Sequence, residues 1–229
     1  MKLMRSLVLP RTDPYPLQRP IGKNNRIPWL QCAQIEVLWE KPLAGISFEE
    51  VASRRRSQRS LKLASLDTVL SIVRETFRIE EEAAGGQEIR YRKKVISAGA
   101  LHPIQALVLR SNVAPLVYDD QFDRVFELAV EDKLSLSQAM VELMNILPSA
   151  TGHWILLVGD QKRTSRFYAN SHSLFWRDAG AAMQLLSLNA EAFGLGTCAV
   201  GALGQAIVKA IVGDDTDIVA TGITAIGII

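Results

Sequence analysis

The stretch 174–193 constrains the fold most, because it has a helical pattern that is small or apolar around much of its circumference. A helix of this kind has no polar face to turn toward water, so it must lie in a core or between two chains. Gly194 follows directly and can take the left-handed conformation that ends a helix. We therefore expect one long central helix, buried in the fold or in a dimer interface. Its small and apolar residues include Ala179, Gly180, Ala181, Ala182, Met183, Leu186 and Ala190.

The rest of the chain mixes short helices and strands irregularly. Ser47 and Glu50 form the reciprocal capping pair that starts a helix. An apolar stripe at helical spacing predicts a second helix over 66–77. Helices are also predicted over 123–129, 137–147 and 205–212, and an acidic loop over 80–86. Strands are predicted over 104–110, 116–118 and 154–158, with a hairpin turn at 111–112 and a further strand or strands within 216–229. This pattern indicates an α+β domain with one central sheet.

The first 46 residues differ from the remainder. Residues 1–30 contain five prolines and few helix formers, which favours an extended arm that wraps a surface or a partner subunit. A partly disordered tail is the alternative interpretation. A short strand is expected over 34–40. The chain is thus divided into an arm, 1–46, and a domain, 47–229.

Composition excludes several classes of function. The net charge of +2 is too small to indicate a nucleic-acid partner. Cys32 and Cys198 are far apart and form no CxxC pair, which is typical of a reducing cytoplasm. The apolar runs are too short for a signal peptide or a membrane-spanning helix. We expect a soluble cytoplasmic protein without a membrane partner.

Several catalytic motifs are missing. No histidine has a second ligand at a spacing typical of zinc sites, so no metal is expected. The sequence has no GxSxG elbow of a hydrolase and no GxxxxGK[ST] phosphate loop. The dinucleotide signature GxGxxG is absent as well. The three histidines are His102, His153 and His172.

Four short segments remain as candidates. Residues 54–59 read RRRSQR, and alternate donors at Arg55, Ser57 and Arg59 suit a phosphate, although such a run alone more often marks a solvated basic patch. Residues 96–103 read ISAGALHP, whose small side chains allow close approach of a flat ligand or form a tight turn. Residues 178–180 and 194–202 read DAG and GLGTCAVGA, which by themselves indicate close packing and a turn.

In this order, the four segments resemble the FMN-binding nitroreductase-like superfamily over residues 47–229. The SAGALHP form is most similar to the SagB-type dehydrogenases, which oxidise thiazolines and oxazolines in modified peptides. The resemblance implies an α+β fold with a central, mostly antiparallel sheet flanked by helices. It also implies a homodimer with the long helix in its interface, and two active sites built from both subunits.

The resemblance assigns a role to each segment. The arginine segment would hold the FMN phosphate, the ribityl chain and the N1–C2 edge of the ring, where a cation stabilises the reduced flavin. The SAG segment would line the ring from the other subunit. The GLG segment would meet the opposite ring face or direct a backbone N–H toward N5. The residues concerned are Arg55, Ser57, Arg59, Ser97, Ala98, Gly99, Leu195 and Gly196.

Three positions depart from the pattern of these relatives. The dehydrogenases carry a Lys-Tyr pair for acid–base work, but here Phe167 precedes Tyr168, which leaves Tyr168 as the candidate catalytic residue. Ile96 replaces a proline. No basic residue follows Lys209, so either Arg54 or Arg56 compensates for the missing C-terminal cation or the flavin binds weakly.

The expected function is that of an FMN-dependent oxidoreductase working in two half-reactions. The motif form favours a dehydrogenase of a peptide-derived or azoline heterocycle, with a biosynthetic enzyme as a possible partner. The missing lysine leaves two alternatives open. One is an NAD(P)H-dependent nitro or quinone reductase, and the other is a catalytically silent scaffold subunit of a biosynthetic complex.

Overall fold

A computed structural model describes residues 13–18, 27–85, 88–111, 113–214 and 217–229. The strands are β1 (Tyr15–Pro16), β2 (Gln31–Ile35), β3 (Ile79–Gly85), β4 (Glu88–Lys93), β5 (Ile104–Arg110), β6 (Val113–Asp119), β7 (Arg124–Leu128), β8 (His153–Asp160), β9 (Tyr168–Ala169), β10 (Gly196–Val200) and β11 (Ile218–Gly227). The helices are α1 (Phe48–Arg54), α2 (Leu66–Phe77), α3 (Lys133–Ile146), α4 (Gln161–Ser165), α5 (His172–Ala192) and α6 (Gln205–Val212), with a 3₁₀ turn at Ala98–Ala100.

One seven-stranded sheet organises the chain, in the order β10-β11-β8-β5-β6-β7-β2. Every neighbouring pair in it is antiparallel. Strand β8 lies between β11 and β5 and is buried almost along its whole length, because helices cover both of its faces. The predicted α+β class with a central antiparallel sheet is confirmed.

The sheet separates two hydrophobic cores. Ile155 and Leu157 of β8 face the core that includes α2 and α5. Leu156 and Val158 point the other way, into the core that includes α3 and α6. This alternation follows from the two-residue period of a strand. The α2–α5 layer and the α3–α6 layer therefore lie on opposite faces of the sheet.

Local sequence signals placed several elements correctly. The Ser47 Oγ accepts the Glu50 N–H at 3.2 Å, and the Glu50 carboxylate accepts the Ser47 N–H at 2.9 Å, which confirms the capping box of α1. Helices α2 and α6 have the predicted bounds. The β5–β6 hairpin is confirmed by its pairing, although Asn112 lies outside the described residues.

Two predicted elements were wrong. Residues 123–129 contain strand β7 rather than a helix, since this segment returns directly from β6 and pairs with it. Residues 80–86 were expected to be a loop. Instead, β3 pairs with β4 as a separate hairpin, in which Arg92 forms an ion pair with Glu81 across the strands. Opposite charges on facing strands stabilise the pairing of the two strands. The hairpin could not be predicted from the acidic segment alone, because the basic residues that pair with it lie in β4.

The N-terminal segment contributes to the sheet. Strand β2, which lies within the expected arm 1–46, pairs with β7 and forms the edge of the sheet. It begins earlier than the strand expected over 34–40. Ile27 is buried in the core beside α3 and α6, and the Trp29 indole donates to the Gln105 side chain at 2.7 Å. Strand β1 pairs with β9.

Helix α5 confirms the long helix, and Gly194 follows it with φ +77° as predicted. Within a single chain, one side of the helix is buried, and the expectation that the helix lies in a dimer interface stays a prediction. Phe175, Ala182 and Leu186 face the core. The outward face is exposed because no described element of the same chain packs on it. The exposed residues along it are Ser173, Arg177, Gly180 and Gln184.

Candidate functional site

The arginine segment leaves α1 and runs beside β10. The Gln58 N–H donates to the Thr197 carbonyl at 2.8 Å, and Ser57 and Thr197 form a parallel bridge. The Gln58 side chain turns toward Gly196, where its Cγ lies 2.9 Å from the position that a Cβ would take. Ser57 and Arg59 are exposed. The segment thus presents hydroxyl and guanidinium donors to solvent at the start of β10.

Most of the positive charge in this segment is uncompensated. Arg54 pairs with Glu50 at 3.5 Å. Within the described part of the chain, Arg55, Arg56 and Arg59 form no ion pair. A cluster of unpaired guanidinium groups beside a free hydroxyl is a suitable site for an anion such as a phosphate.

The loop at residues 97–102 is held by helix α5. The Ser97 hydroxyl donates to Asp178 Oδ2 at 2.5 Å, and the Ala98 N–H donates to Asp178 Oδ1 at 3.3 Å. The Ser97 oxygen also accepts the His102 N–H at 2.8 Å. The sequence indicated close packing around Asp178 but missed this role. Asp178 holds the start of the loop, Ser97 holds its end at His102, and the hydrogen of the Ser97 hydroxyl is already used.

This loop has an unusual backbone. Gly99 has φ +58°, and Ala100 and His102, which are not glycines, have φ +52° and +49°. Each non-glycine residue in this region costs about 1–3 kcal/mol, so the surrounding contacts must hold it there. The hydrogen bonds to Ser97 and Asp178 provide that restraint. Residues 97–99 are therefore presented in one fixed shape, half-buried or exposed at the surface.

Tyr168 lies against this loop. A Cβ added at Gly99 would lie 2.7 Å from the Tyr168 Oη, so only glycine fits beside the phenol. Tyr168 is half-buried in β9, four residues before α5 begins. The structure therefore brings the candidate catalytic residue together with Ser97, Ala98 and Gly99.

Phe167 points elsewhere. It is buried, and the Arg90 guanidinium lies over its ring at 4.4 Å from the centroid. Arg90 comes from β4, and its Nη1 is buried without a hydrogen-bond partner among the described residues. Such a cation–π contact stabilises both groups when they are shielded from water. A side chain at position 167 is therefore directed into the protein and away from solvent.

Burial shifts the pKa of two ionisable groups, His102 in the loop and Asp178 in α5 beneath it. The pKa of His102 falls to about 4, because burial and the nearby Lys93 disfavour its charged form. Its Nε2 lies 2.8 Å from the Tyr91 carbonyl, so this nitrogen carries the hydrogen and the ring is neutral. Burial raises the pKa of Asp178 above its usual range, opposed by the bonds from Ser97 and Ala98. Both residues support the loop.

Leu195 and Gly196 do not present side-chain surface to a ligand. Leu195 is buried in the core with α5, and its N–H donates to the Ala190 carbonyl at 2.9 Å. A Cβ at Gly196 would lie within 3.0 Å of Ile229, Gln58 and Leu61, so this glycine serves close packing. Within the motif, Gly194, Ala199 and Gly201 are exposed, and Val200 and Ala202 are half-buried. Strand alternation could not show which half of the motif reaches the surface.

The two groups of candidate residues lie at opposite ends of α5. Asp178 and the 97–99 loop are near its beginning, whereas the arginine segment and β10 are beyond its end at Ala192. The 14 residues from Asp178 to Ala192 span about 21 Å of helix. Within a single chain, the two groups of candidate residues are therefore separated by most of the length of α5.

Other kinds of site find no support in the described part of the chain. No group of three or more His, Cys, Asp or Glu side chains there is arranged to hold a metal ion. None of the helices in those ranges combines the length and apolar composition needed to cross a bilayer. Both cysteines are free, with Cys32 exposed and Cys198 buried.

Solved structures share this fold. A protein from Ralstonia eutropha described as a nitroreductase has a TM-score of 0.62 at 14% identity, covering 95% of this chain and 98% of its own. One from Anabaena variabilis has a TM-score of 0.60 at 14% identity, covering 83% and 40%. A third, from Desulfovibrio desulfuricans and described as a nitroreductase in complex with FMN, has a TM-score of 0.53 at 18% identity, covering 80% and 87%.

Sequence comparison gives the family. No curated protein sequence shows significant similarity to the chain. The family model described as the Nitroreductase family matches residues 52–228, which include the arginine segment, the 97–102 loop, α5 and the β10 motif. This match agrees with the shared fold and covers well over half of the sequence. The chain belongs to the nitroreductase family.

Proposed function

We propose that the protein is an FMN-dependent oxidoreductase that acts as a homodimer with two composite sites. The placement of the candidate residues at opposite ends of α5 supports this most directly. If two α5 helices pack antiparallel across a twofold axis, the 97–99 loop of one subunit approaches the arginine segment of the other. In this proposal each chain supplies both halves of a site, and a second copy would bring the two halves together.

The outward face of α5 suits such packing. Ser173, Gly180 and Gln184 are exposed, and a Cβ at Gly180 would have no neighbouring atom within 4 Å. Small residues along one face allow two helices to approach closely. Arg177, which is also exposed, makes hydrogen bonds to Ser173 of its own helix.

The unpaired arginines fit the phosphate of FMN. Arg55, Ser57 and Arg59 would bind the phosphate and the polar edge of the cofactor, and Arg56 lies beside them. Lys209, the last basic residue, is held by Asp214 at 2.7 Å. The arginine segment would therefore supply the phosphate charge that relatives take from the C-terminus. Bound FMN would provide two-electron hydride chemistry at this place.

For the substrate, we favour oxidation of a peptide-derived or azoline heterocycle. Tyr168 lies beside Gly99, which would line the flavin, so its hydroxyl would be available to exchange a proton with a substrate bound there. Oxidation of a C–N or C–C bond releases a hydride, which bound FMN would accept, and a proton, whose transfer the phenol would assist. The rigid loop around Gly99 would fix the distance between them.

Reduction of a nitro or quinone compound with NAD(P)H is the second candidate. The observation that favours it is the burial of Phe167 beneath Arg90, because no lysine at this position can serve as a base. Nitro and quinone reduction takes its protons from solvent more easily than azoline oxidation loses a carbon-bound proton. This candidate needs no residue beyond those that hold the flavin.

The test begins with a visible absorption spectrum of the purified protein and chromatography of the released cofactor. A flavin spectrum that yields FMN is expected. A colourless dimer that takes up no added FMN would refute both enzyme functions and favour the scaffold role. With FMN bound, rapid bleaching by NADH or NADPH would select the reductase. Oxygen uptake with a thiazoline peptide and no bleaching would select the dehydrogenase.

A further inference from the structure

A large cavity lies on the sheet face that the candidate flavin residues do not use. It has a volume of about 630 Å³ and opens between α3 and the ends of β5, β6, β7 and β2. Leu109, Leu128 and Met140 line it and belong to the core with α3 and α6. The candidate flavin residues contact α5 and β10 instead. The cavity is therefore separate from the proposed active site.

Its wall is mostly apolar. Leu136 and Met144 extend the apolar lining along α3, and Pro115 closes it on β6. Methionine side chains adapt to ligands of different shape because they are flexible and polarisable. The volume is within the range of small-molecule sites, about 300–1,000 Å³. The cavity can enclose a hydrocarbon chain.

The polar groups of the lining give it a net positive end. The Arg110 Nη2 donates to the Ala114 carbonyl at 2.7 Å and to Glu127 at 3.0 Å, so these two charges compensate each other. The Arg110 Nε is buried and has no partner within the described ranges. Lys133 also lines the cavity and forms no ion pair with a described residue. A negatively charged group in the cavity would pair with Lys133 and lie near the Arg110 guanidinium.

We infer that this cavity binds an amphipathic carboxylate, with its hydrocarbon chain along α3 and its carboxylate near Arg110 and Lys133. The apolar wall suits the hydrocarbon chain of the ligand, and the positively charged side chains suit its carboxylate. Apolar side chains around the opening agree with a ligand that enters from a micelle or from a carrier rather than from dilute solution. Val113 and Val141 line the opening and are 46% and 51% exposed.

The test uses the flavin-loaded dimer and two ligands. Dansylaminoundecanoate should increase its fluorescence on binding, and dodecanoate should displace it. Ser137→Phe and Met144→Trp place an aromatic ring in the cavity from positions on α3 that are exposed and half-buried. Either change should weaken probe binding about ten- to a hundredfold, since forcing a ligand into an overpacked space costs about 1–3 kcal/mol. Leu134→Ala, on the same helix but outside the lining, should bind like the unchanged protein.

The head group is tested separately. Lys133→Gln should reduce dodecanoate affinity about two- to fivefold, the range for one partly exposed ion pair. It should leave dodecanol affinity unchanged, because dodecanol carries no charge. Equal losses for the two ligands would contradict the assignment of the carboxylate to Lys133.

Three results would overturn the inference. The first is the absence of saturable probe binding. The second is a probe affinity in both Ser137→Phe and Met144→Trp that equals that of the unchanged protein. The third is self-association of dimers that both variants abolish. The last result would make this face a protein interface. Flavin absorbance should remain unchanged in all variants, so failure here and failure of the proposed function are distinguishable.

Discussion

Replacing Gly180 by leucine separates the stability of the chain from that of the dimer. In the single chain, Gly180 is exposed in the interior of α5, and nothing lies within 4 Å of the Cβ position. Leucine there should stabilise the helix by about 0.8 kcal/mol, the propensity difference between the two residues. If α5 packs against its partner at this glycine, each new side chain overpacks the interface by about 1–3 kcal/mol. Dimer affinity should then fall about 5- to 150-fold per leucine.

The assay is sedimentation velocity over a range of concentrations, with flavin content measured on the same samples. Gly180→Leu should sediment as a folded monomer at concentrations where the unchanged protein is a dimer, and it should lose FMN because each site needs both subunits. Gly180→Ala is the matched control, since it adds helix propensity with only one methyl group. A leucine variant that remains a dimer with full flavin content would refute the proposed packing of α5.

Three further changes test the site and its support. Arg59→Ala should weaken FMN binding about 10- to 100-fold through loss of a charged hydrogen bond. Arg54→Ala should change FMN binding little, because the Arg54 guanidinium already pairs with Glu50. Equal FMN affinities of the two variants by flavin fluorescence would remove Arg59 from the site. Tyr168→Phe should lower kcat without changing flavin affinity, and an unaltered kcat at saturating substrate would exclude proton transfer by the phenol. The hydrogen bond from Arg74 holds the pKa of Asp123 below its usual range, so this pair stabilises the fold above pH 4 and ceases to do so as the pH falls through the lowered value. Asp123→Asn should therefore lower the free energy of unfolding by about 1 kcal/mol at pH 7, a small value because the carboxylate is half exposed, and by less at pH 3. A difference in urea midpoint between the variant and the unchanged protein that is the same at both pH values would contradict this.

Elements with their own local signal were predictable. Helix α2 shows a stripe of apolar residues, α1 begins with a capping box, and Gly194 marks the end of α5. Strand β7 lacked such a signal. Val125 and Leu128 are three residues apart and are both buried, which suits a helix as well as a strand, so pairing with β6 decided the outcome.

The site was predictable in part. Ser97 and Gly99 lie together with Tyr168 as a local group, although the sequence did not show that Asp178 holds them. Leu195, expected to meet the ring face or to direct a backbone N–H toward N5, has a buried side chain because the turn after α5 directs it back into the core.

Strand β2 has a consequence for any shortened form of the protein. The family match begins at residue 52, yet β2, at residues 31–35, is one of the two edge strands of the sheet. A protein truncated to the matching region would leave the outer backbone groups of β7 without partners. Unpaired strand edges recruit strands from other molecules and lead to aggregation. The N-terminal residues therefore act as a built-in protective edge, and an insoluble truncated protein would reflect the loss of that edge.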